Sequence, residues 1–359
     1  MTLGLCMIVK DEEEVLARCL ESVKGVFDEI VVADTGSKDR SREIARAYGA
    51  KVYEFRWIDD FSAARNFSFS KASADYLMWL DADDILLPQD KEALLSLKKT
   101  LDGSVDAYML RYNAAEDEYG NTAMFYYRER ILRRGAGFCW EGVVHEAICV
   151  CGNVAGIPIA VTHRKPARRG APARNLRIFA KYFARGNLPD ERQKFYFARE
   201  LSDNGLYSIA ADVFEHFLQG NGWTENKICA CRDLAYCYKK LGRREKQRES
   251  LFKSFAYAPP RPEICCDLGA LFLEDGDPNH AIFWYKLAAN EKPEGENGAF
   301  VQPDYSGYIP YMWLCVCYDR LGNHEKARYY NDLAGELKPQ DKNYLQNKLY
   351  FQKLFEDKG

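Results

Sequence analysis

A chain of 359 residues is long enough for two domains, each burying its own core. Its 50 basic and 53 acidic residues leave a net charge of −3, which argues against nucleic acid as the main partner, because that partner demands a strongly basic face. Of the 12 cysteines, eight fall as C-x-C (Cys149/Cys151, Cys229/Cys231, Cys315/Cys317) or adjacent (Cys265/Cys266), spacings that suit neither zinc fingers nor a disulfide framework, so reduced thiols are expected.

Leu3–Val9 is a continuous apolar run, read as a strand that ends at Lys10-Asp11-Glu12 and leads into the amphipathic segment Glu13–Val23. The N-terminal stretch has no basic region ahead of an apolar one, so no signal peptide is expected. Glu29–Ala33 reads as the second strand, ending at Asp34-Thr-Gly-Ser37. A helix over Asp39–Tyr48 follows and is closed by Gly49. Lys51–Phe55, Phe61–Ala72 and Tyr76–Leu80 continue as strand, helix and strand. This alternation implies a parallel sheet covered on both faces, with ligands bound beyond the carboxyl ends of its strands. Lys10–Glu12, Asp34, Asp81 and Asp83 all gather at that edge.

From 105 to 165 the pattern changes. "DAYMLRYNA" and "AMFYYRERILRR" read as strands joined by a turn at Glu118–Asn121, followed by "FCWEGVVHEAI" and a further apolar strand in "AGIPIAVTHRK". Residues 164–174, "RKPARRGAPAR", are basic and rich in Pro and Gly, as expected of a mobile linker. The expected division is an α/β domain over 1–175 and an all-α domain over 176–359.

The second half is repetitive. Leu268, Gly269, Phe272, Gly276, Ala281, Tyr285, Ala288 and Pro293 follow the tetratricopeptide pattern of large, small and turn residues. Leu234, Ala235, Tyr238, Gly242, Leu251 and Pro259 lie one repeat earlier. Leu314, Tyr318, Gly322, Ala327 and Pro339 repeat it after an insertion around "EGENGAFVQPDY". A weaker unit holds Phe197, Ala198, Leu201, Gly205, Ala210 and Phe214. No run approaches the roughly 18–20 apolar residues of a membrane span, so a soluble, cytoplasmic protein is expected.

The stretch "LDADD" at the tip of the fourth strand carries the chemistry. In an extended segment Asp81 and Asp83 face one side, and crowded carboxylates call for a cation, with oxygen ligands favouring Mg²⁺ or Mn²⁺. The competing reading is an acidic loop in which Asp84 or a neighbour caps the helix after Pro88. There is no G-x-G-x-x-G after the first strand and no G-x-x-x-x-G-K-[ST], so dinucleotide and P-loop sites are excluded.

The ordered motifs "CMIVKDEE", "IVVADTGSKDRS" and "FSAARNFSFSKASADYLMWLDADD" resemble the family 2 glycosyltransferases of the GT-A fold, over about residues 3 to 165. The resemblance implies a GT-A mixed sheet and a nucleotide-diphosphate sugar as donor. It places Ile8, Lys10, Glu12, Asp34, Arg65, Asn66 and Asp81 around the nucleotide sugar, with Asp34 on the base, commonly uracil. It places Asp83 and Asp81 on the metal. His163, which follows a further apolar strand, could add a nitrogen ligand, touch the diphosphate or be structural. "G-V-V-H-E" resembles a segment of a bacterial subgroup in which tetratricopeptide repeats often follow the catalytic domain. That subgroup includes transferases acting on peptides and proteins, and others that build surface glycans. Glu146 is then the expected base, with Glu141 second. His145 would face the opposite side if the segment is a strand. Arg130 and Arg133 read either as phosphate contacts or as a solvated strand face, and His216, His280 and His324 as structural.

The expected activity is metal-dependent, inverting transfer from a UDP-hexose to a peptide or protein acceptor held by the repeats, which could instead pair two copies of the chain. The alternatives are a surface-polysaccharide or lipid-linked acceptor, and a peptide-binding scaffold without catalysis.

Overall fold

The computed structural model describes residues 1–164, 173–291 and 298–356. The linker expected at 164–174 lies largely outside the described residues, as do Pro293 and the start of the insertion, up to residue 297. The chain divides into two compact units, Met1–Glu200 and Leu201–Gly359.

The first unit begins with β1 (Leu3–Val9), α1 (Leu16–Ser22), β2 (Glu29–Asp34), α2 (Ser41–Ala47), β3 (Lys51–Glu54), α3 (Phe61–Lys71) and β4 (Tyr76–Trp79). It continues with β5 (Asp84–Ile85), α4 (Pro88–Thr100), β6 (Ala107–Glu116), β7 (Thr122–Arg133), β8 (Trp140–Glu141), β9 (Ala147–Ile148), β10 (Val154–His163), α5 (Arg174–Ala184) and α6 (Glu191–Asp203). Eight strands form one sheet in the order β3-β2-β1-β4-β7-β6-β10-β5. The pairs β1–β2, β2–β3, β1–β4 and β6–β10 are parallel, while β7 and β5 run against their neighbours. The sheet is mixed because the β6–β7 hairpin sends β7 back alongside β4.

Burial on both faces explains the unbroken apolar strands. Along β1, Leu3, Leu5, Met7 and Val9 enter one core, while Cys6 packs with Val31 and Leu77 in another. Because the main strands are parallel, the ends of β1, β2, β4 and β10 lie on one edge. α3 starts where Asp60 accepts a hydrogen bond from the Ala63 N–H at 2.9 Å, a cap that fixes the helix carrying Arg65 and Asn66.

The second unit is helical: α7 (Tyr207–Phe217), α8 (Thr224–Lys240), α9 (Arg244–Lys253), α10 (Pro262–Glu274), α11 (Pro278–Asn290), α12 (Tyr308–Arg320), α13 (His324–Leu337) and α14 (Lys342–Glu356). Each helix packs on the next from α7 to α14, as stacked repeats do. The positions that recur in sequence are the ones buried: Leu234, Leu268 and Leu314, with Ala281, Tyr285 and Ala327. Gly269 lies under Tyr285, where an added Cβ would come within 2.8 Å of the ring. The turns that join helix pairs use Gly242 and Gly276 at φ +69° and +80°, a backbone that side chains resist. No helix among the described residues is long and apolar enough to cross a membrane.

Candidate active site

After β4 the chain turns through Leu80–Asp83 and returns as β5, which pairs with the end of β10 so that His163 lies opposite Asp84. Nδ1 of His163 sits 3.3 Å from Asp83 Oδ1 and 3.5 Å from Asp84 Oδ1. It is buried and forms no hydrogen bond among the described residues. Burial alone would lower the pKa of this imidazole, but Asp83 and Asp84 outweigh it and push it up to about 9. Glu12, just beyond β1, shows the same shortage of positive charge. Burial, then the charges of Asp83, Asp81 and Asp39, push its carboxyl up to about 7.

Asp83, Asp84 and His163 form a cluster able to hold a metal ion, yet the three are not equivalent. Asp84 is fully buried. Its Oδ1 accepts from the Tyr112 hydroxyl at 2.9 Å, and its Oδ2 accepts from Arg130 Nη1 at 3.0 Å and from the Asp81 N–H at 3.1 Å. Its charge is spent on Arg130, so Asp83 and His163 keep the ligand atoms that a cation could use. Asp84 also does not cap the following helix, which starts at Pro88 without a side-chain cap.

Arg130 corrects both sequence readings. It is neither on a solvated face nor directed at phosphate: it is fully buried, with its guanidinium 3.6 Å from the Trp79 ring centroid and 4.4 Å from that of Tyr112. The interior position of β7, between β4 and β6, leaves that face no water. Arg133 pairs with Asp106.

Asp34 ends β2 and is buried. Its carboxylate accepts from the Ser37 N–H at 3.1 Å and from Arg42 Nε at 2.6 Å. The loops after β1 and β2 are laced together, since the Glu12 N–H donates to Ser41 Oγ at 2.8 Å and the Lys38 N–H to Asp11 Oδ1 at 2.7 Å. Ile8 is half-buried and Lys10 exposed on this edge.

Arg65 is 7% exposed and joins two regions that are remote in sequence. Its Nη2 donates to Asp81 at 2.8 Å and its Nε to Glu146 at 2.5 Å. The guanidinium lies 4.9 Å from the Trp79 ring centroid and 4.8 Å from that of Trp140. Burial opposes the charge on Asp81, but Arg65 above all holds its carboxyl below the usual range. Next to it, the Asn66 amide is taken up at both ends by Trp140, donating to its carbonyl at 2.9 Å and accepting from its N–H at 2.8 Å.

Beyond Glu141, which ends β8, the "EGVVHE" segment is not a strand. β8 and β9 are two residues each, and the chain between them turns through Gly142 at φ +97° and His145 at φ +53°. His145 and Glu146 therefore do not oppose each other across a pleat. Glu146 turns to Arg65, while His145 Nε2 lies 2.8 Å from Glu200 Oε1 on α6. Glu141 is exposed. Glu200 carried no motif, and an acidic residue on an amphipathic helix gave no signal. In the repeats His280 pairs with Asp277 beside a helix cap and His324 with Asp319, local contacts that suit structural roles.

Residues 5–152 match the glycosyl transferase family 2 model. A TPR repeat-containing protein of Synechococcus elongatus is 50% identical over 293 residues, 81% of this chain and 57% of that protein. The SPbeta prophage-derived glycosyltransferase SunS of Bacillus subtilis is 30% identical over 149 residues, 40% of this chain and 34% of that protein. The chain thus spans about half of the first relative and a third of the second. Among solved structures, glucosyl-3-phosphoglycerate synthase from Mycobacterium tuberculosis is similar at 16% identity and TM-score 0.34, over 53% of this chain and 81% of that one. The architecture is a mixed-sheet α/β domain followed by stacked helices whose buried positions recur at the tetratricopeptide spacing.

Proposed function

We propose that the chain transfers a hexose from a UDP-hexose to a peptide or protein acceptor, with a divalent cation held by Asp83 and His163. The observation that carries this reading is the buried Nδ1 of His163, which lacks a hydrogen bond and faces Asp83 at the carboxyl edge of the sheet. An orphaned buried nitrogen beside a half-buried carboxylate fits a ligand pair, and the mix of imidazole and oxygen suits Mn²⁺ at least as well as Mg²⁺. A cation bound there would stabilise the charge that develops on the departing diphosphate.

The chain's own residues do the rest. Asp34, fixed by its loop and by Arg42, offers a carboxylate for the base. Asp81, oriented by Arg65, offers one for the ribose. Asp84 with Arg130 forms the rigid floor from which Asp83 projects. Displacement in one step, with inversion, needs a group on the acceptor side to take a proton, and the turn at 141–146 supplies Glu141, His145 and Glu146. The repeats, which expose Trp223, Phe283, Trp313 and Tyr329, suit an extended peptide better than a small sugar.

Thermal denaturation with UDP and Mn²⁺ tests the donor half: the midpoint rises for the native chain, and Asp83→Ala abolishes the rise without unfolding the protein. A native chain that does not respond to any nucleotide with Mn²⁺ sinks the reading.

A further inference from the structure

We propose that His145 takes the acceptor's proton during transfer and that Glu200, from a helix outside the matched family region, is the positioning residue that makes it able to do so. The inference rests on the sugar-transfer reading above and assigns its acceptor-side base.

The turn between β8 and β9 is anchored where the Phe61 N–H donates to the Val143 carbonyl at 3.0 Å. His145 then adopts a left-handed backbone, which costs a non-glycine residue about 1 kcal/mol and must be held by its surroundings. α6 does the holding. Arg192 donates to the His145 carbonyl from Nη2 at 3.1 Å and Nε at 3.3 Å. The Tyr196 ring stacks on the imidazole at 4.3 Å between centroids and 13° between planes. Glu200 Oε1 receives both His145 Nε2 and the Asn175 amide, each at 2.8 Å.

This arrangement fixes the tautomer. Burial alone would raise the Glu200 pKa, but the bonds from His145 and Asn175 hold it below the ordinary carboxylate range. An ionised carboxylate only accepts, so Nε2 carries the proton and Nδ1 of the neutral ring keeps its lone pair. No described residue occupies Nδ1, and the side chain is 35% exposed. The neighbouring Glu146 is different: only 10% exposed, with its Oε1 taken by Arg65. Of two adjacent candidates, the imidazole is the one left with a reachable basic atom.

Other charges bear on the ring. Arg174 acts on Glu200. On β7, Arg128 and Tyr126 interact with Tyr196, whose ring stacks on the imidazole. In the step itself the acceptor's hydroxyl or thiol attacks C1 of the donor sugar and its proton passes to His145 Nδ1. The bond from C1 to the diphosphate oxygen breaks and its electron pair leaves with the nucleotide. Glu200 stays ionised throughout and stabilises the imidazolium.

The test uses the full chain with UDP-glucose and Mn²⁺, water serving as acceptor, and follows nucleotide release across pH. UDP binding is measured separately by calorimetry. His145→Asn is the informative substitution, because Asn tolerates a left-handed backbone and preserves the turn. It lowers turnover by about 10²–10⁴-fold while UDP still binds. Glu200→Gln keeps a hydrogen-bonding group but removes the charge that stabilises the imidazolium, so the rising limb of the pH profile moves to lower pH, and Glu200→Asp restores it. Unchanged limbs in Glu200→Gln, or turnover in His145→Asn equal to that of the native chain, overturn the assignment even when UDP binds. Failure of the native chain to bind UDP with Mn²⁺ overturns the donor reading itself.

Discussion

Arg65 and Glu146 are joined at 2.5 Å although 81 positions separate them in the chain, and the other arm of the same guanidinium grips Asp81. One helix residue thereby locks the acidic tip of β4 to the turn between β8 and β9. Removing it leaves a nearly buried carboxylate unpaired. Arg65→Ala should therefore cost about 3 kcal/mol in urea unfolding, and Glu146→Gln in the same chain should recover part of that loss. Full additivity of the two substitutions would show that the pair is not coupled.

The Arg130–Asp84 pair is buried more deeply, and its partners are aromatic rings instead of water. Arg130→Met strands the Asp84 charge and should destabilise the first unit by about 3–5 kcal/mol. Adding Asp84→Asn should restore much of that stability by removing the orphaned charge. Urea midpoints of the three variants check the order, and a single Arg130→Met variant as stable as the native chain would contradict it.

These two arginines mark where sequence and structure part. The carboxyl-edge residues Asp34, Asp81 and Asp83 were legible because strand ends follow from apolar runs that stop at polar turns, and the ordered motifs agreed. The repeats were legible because large and small residues recur at a fixed interval, and the buried positions are the recurring ones. Arg130 was not. Alternating arginines in "YYRERILRR" describe a wet face equally well, and only the sheet order, with β7 enclosed between β4 and β6, makes that face dry. Glu200 was hidden for a related reason. Its meaning comes from His145, 55 positions earlier, and from a turn whose backbone no local pattern announces.

The acidic edge also sets a pH dependence. Glu12 is raised in the fold from 4.5 to about 7 and His163 from 6.5 to about 9. Both bind protons more tightly when folded, so each adds stability that is complete at low pH. The Glu12 share is lost as pH rises toward 7 and beyond, and the His163 share as pH rises through 9. A cation held by Asp83 and His163 would take the place of the His163 proton, because its ligands must shed protons to bind it. The gap in melting temperature between Mn²⁺-loaded and EDTA-treated chain should accordingly widen from about pH 6 to about pH 9. A gap that stays constant across that window would contradict cation binding at Asp83 and His163.

The helical unit offers a separate prediction, because Gly269 fills its repeat position by letting Tyr285 lie directly on the backbone of α10. A methyl group there would sit 2.8 Å from two ring carbons, and Tyr285 is fully buried, so the ring has little room to withdraw. Gly269→Ala should then destabilise the unit by about 1–3 kcal/mol through overpacking, despite the better helix propensity of alanine. Tyr285→Phe keeps the same clash, whereas Tyr285→Leu in the Gly269→Ala background makes room for the methyl and should win back part of the loss. Unfolding followed by tryptophan fluorescence from Trp284 and Trp313 reads the second unit. If Gly269→Ala proves stabilising, the contact between α10 and α11 is looser than the packing of Tyr285 on Gly269 requires.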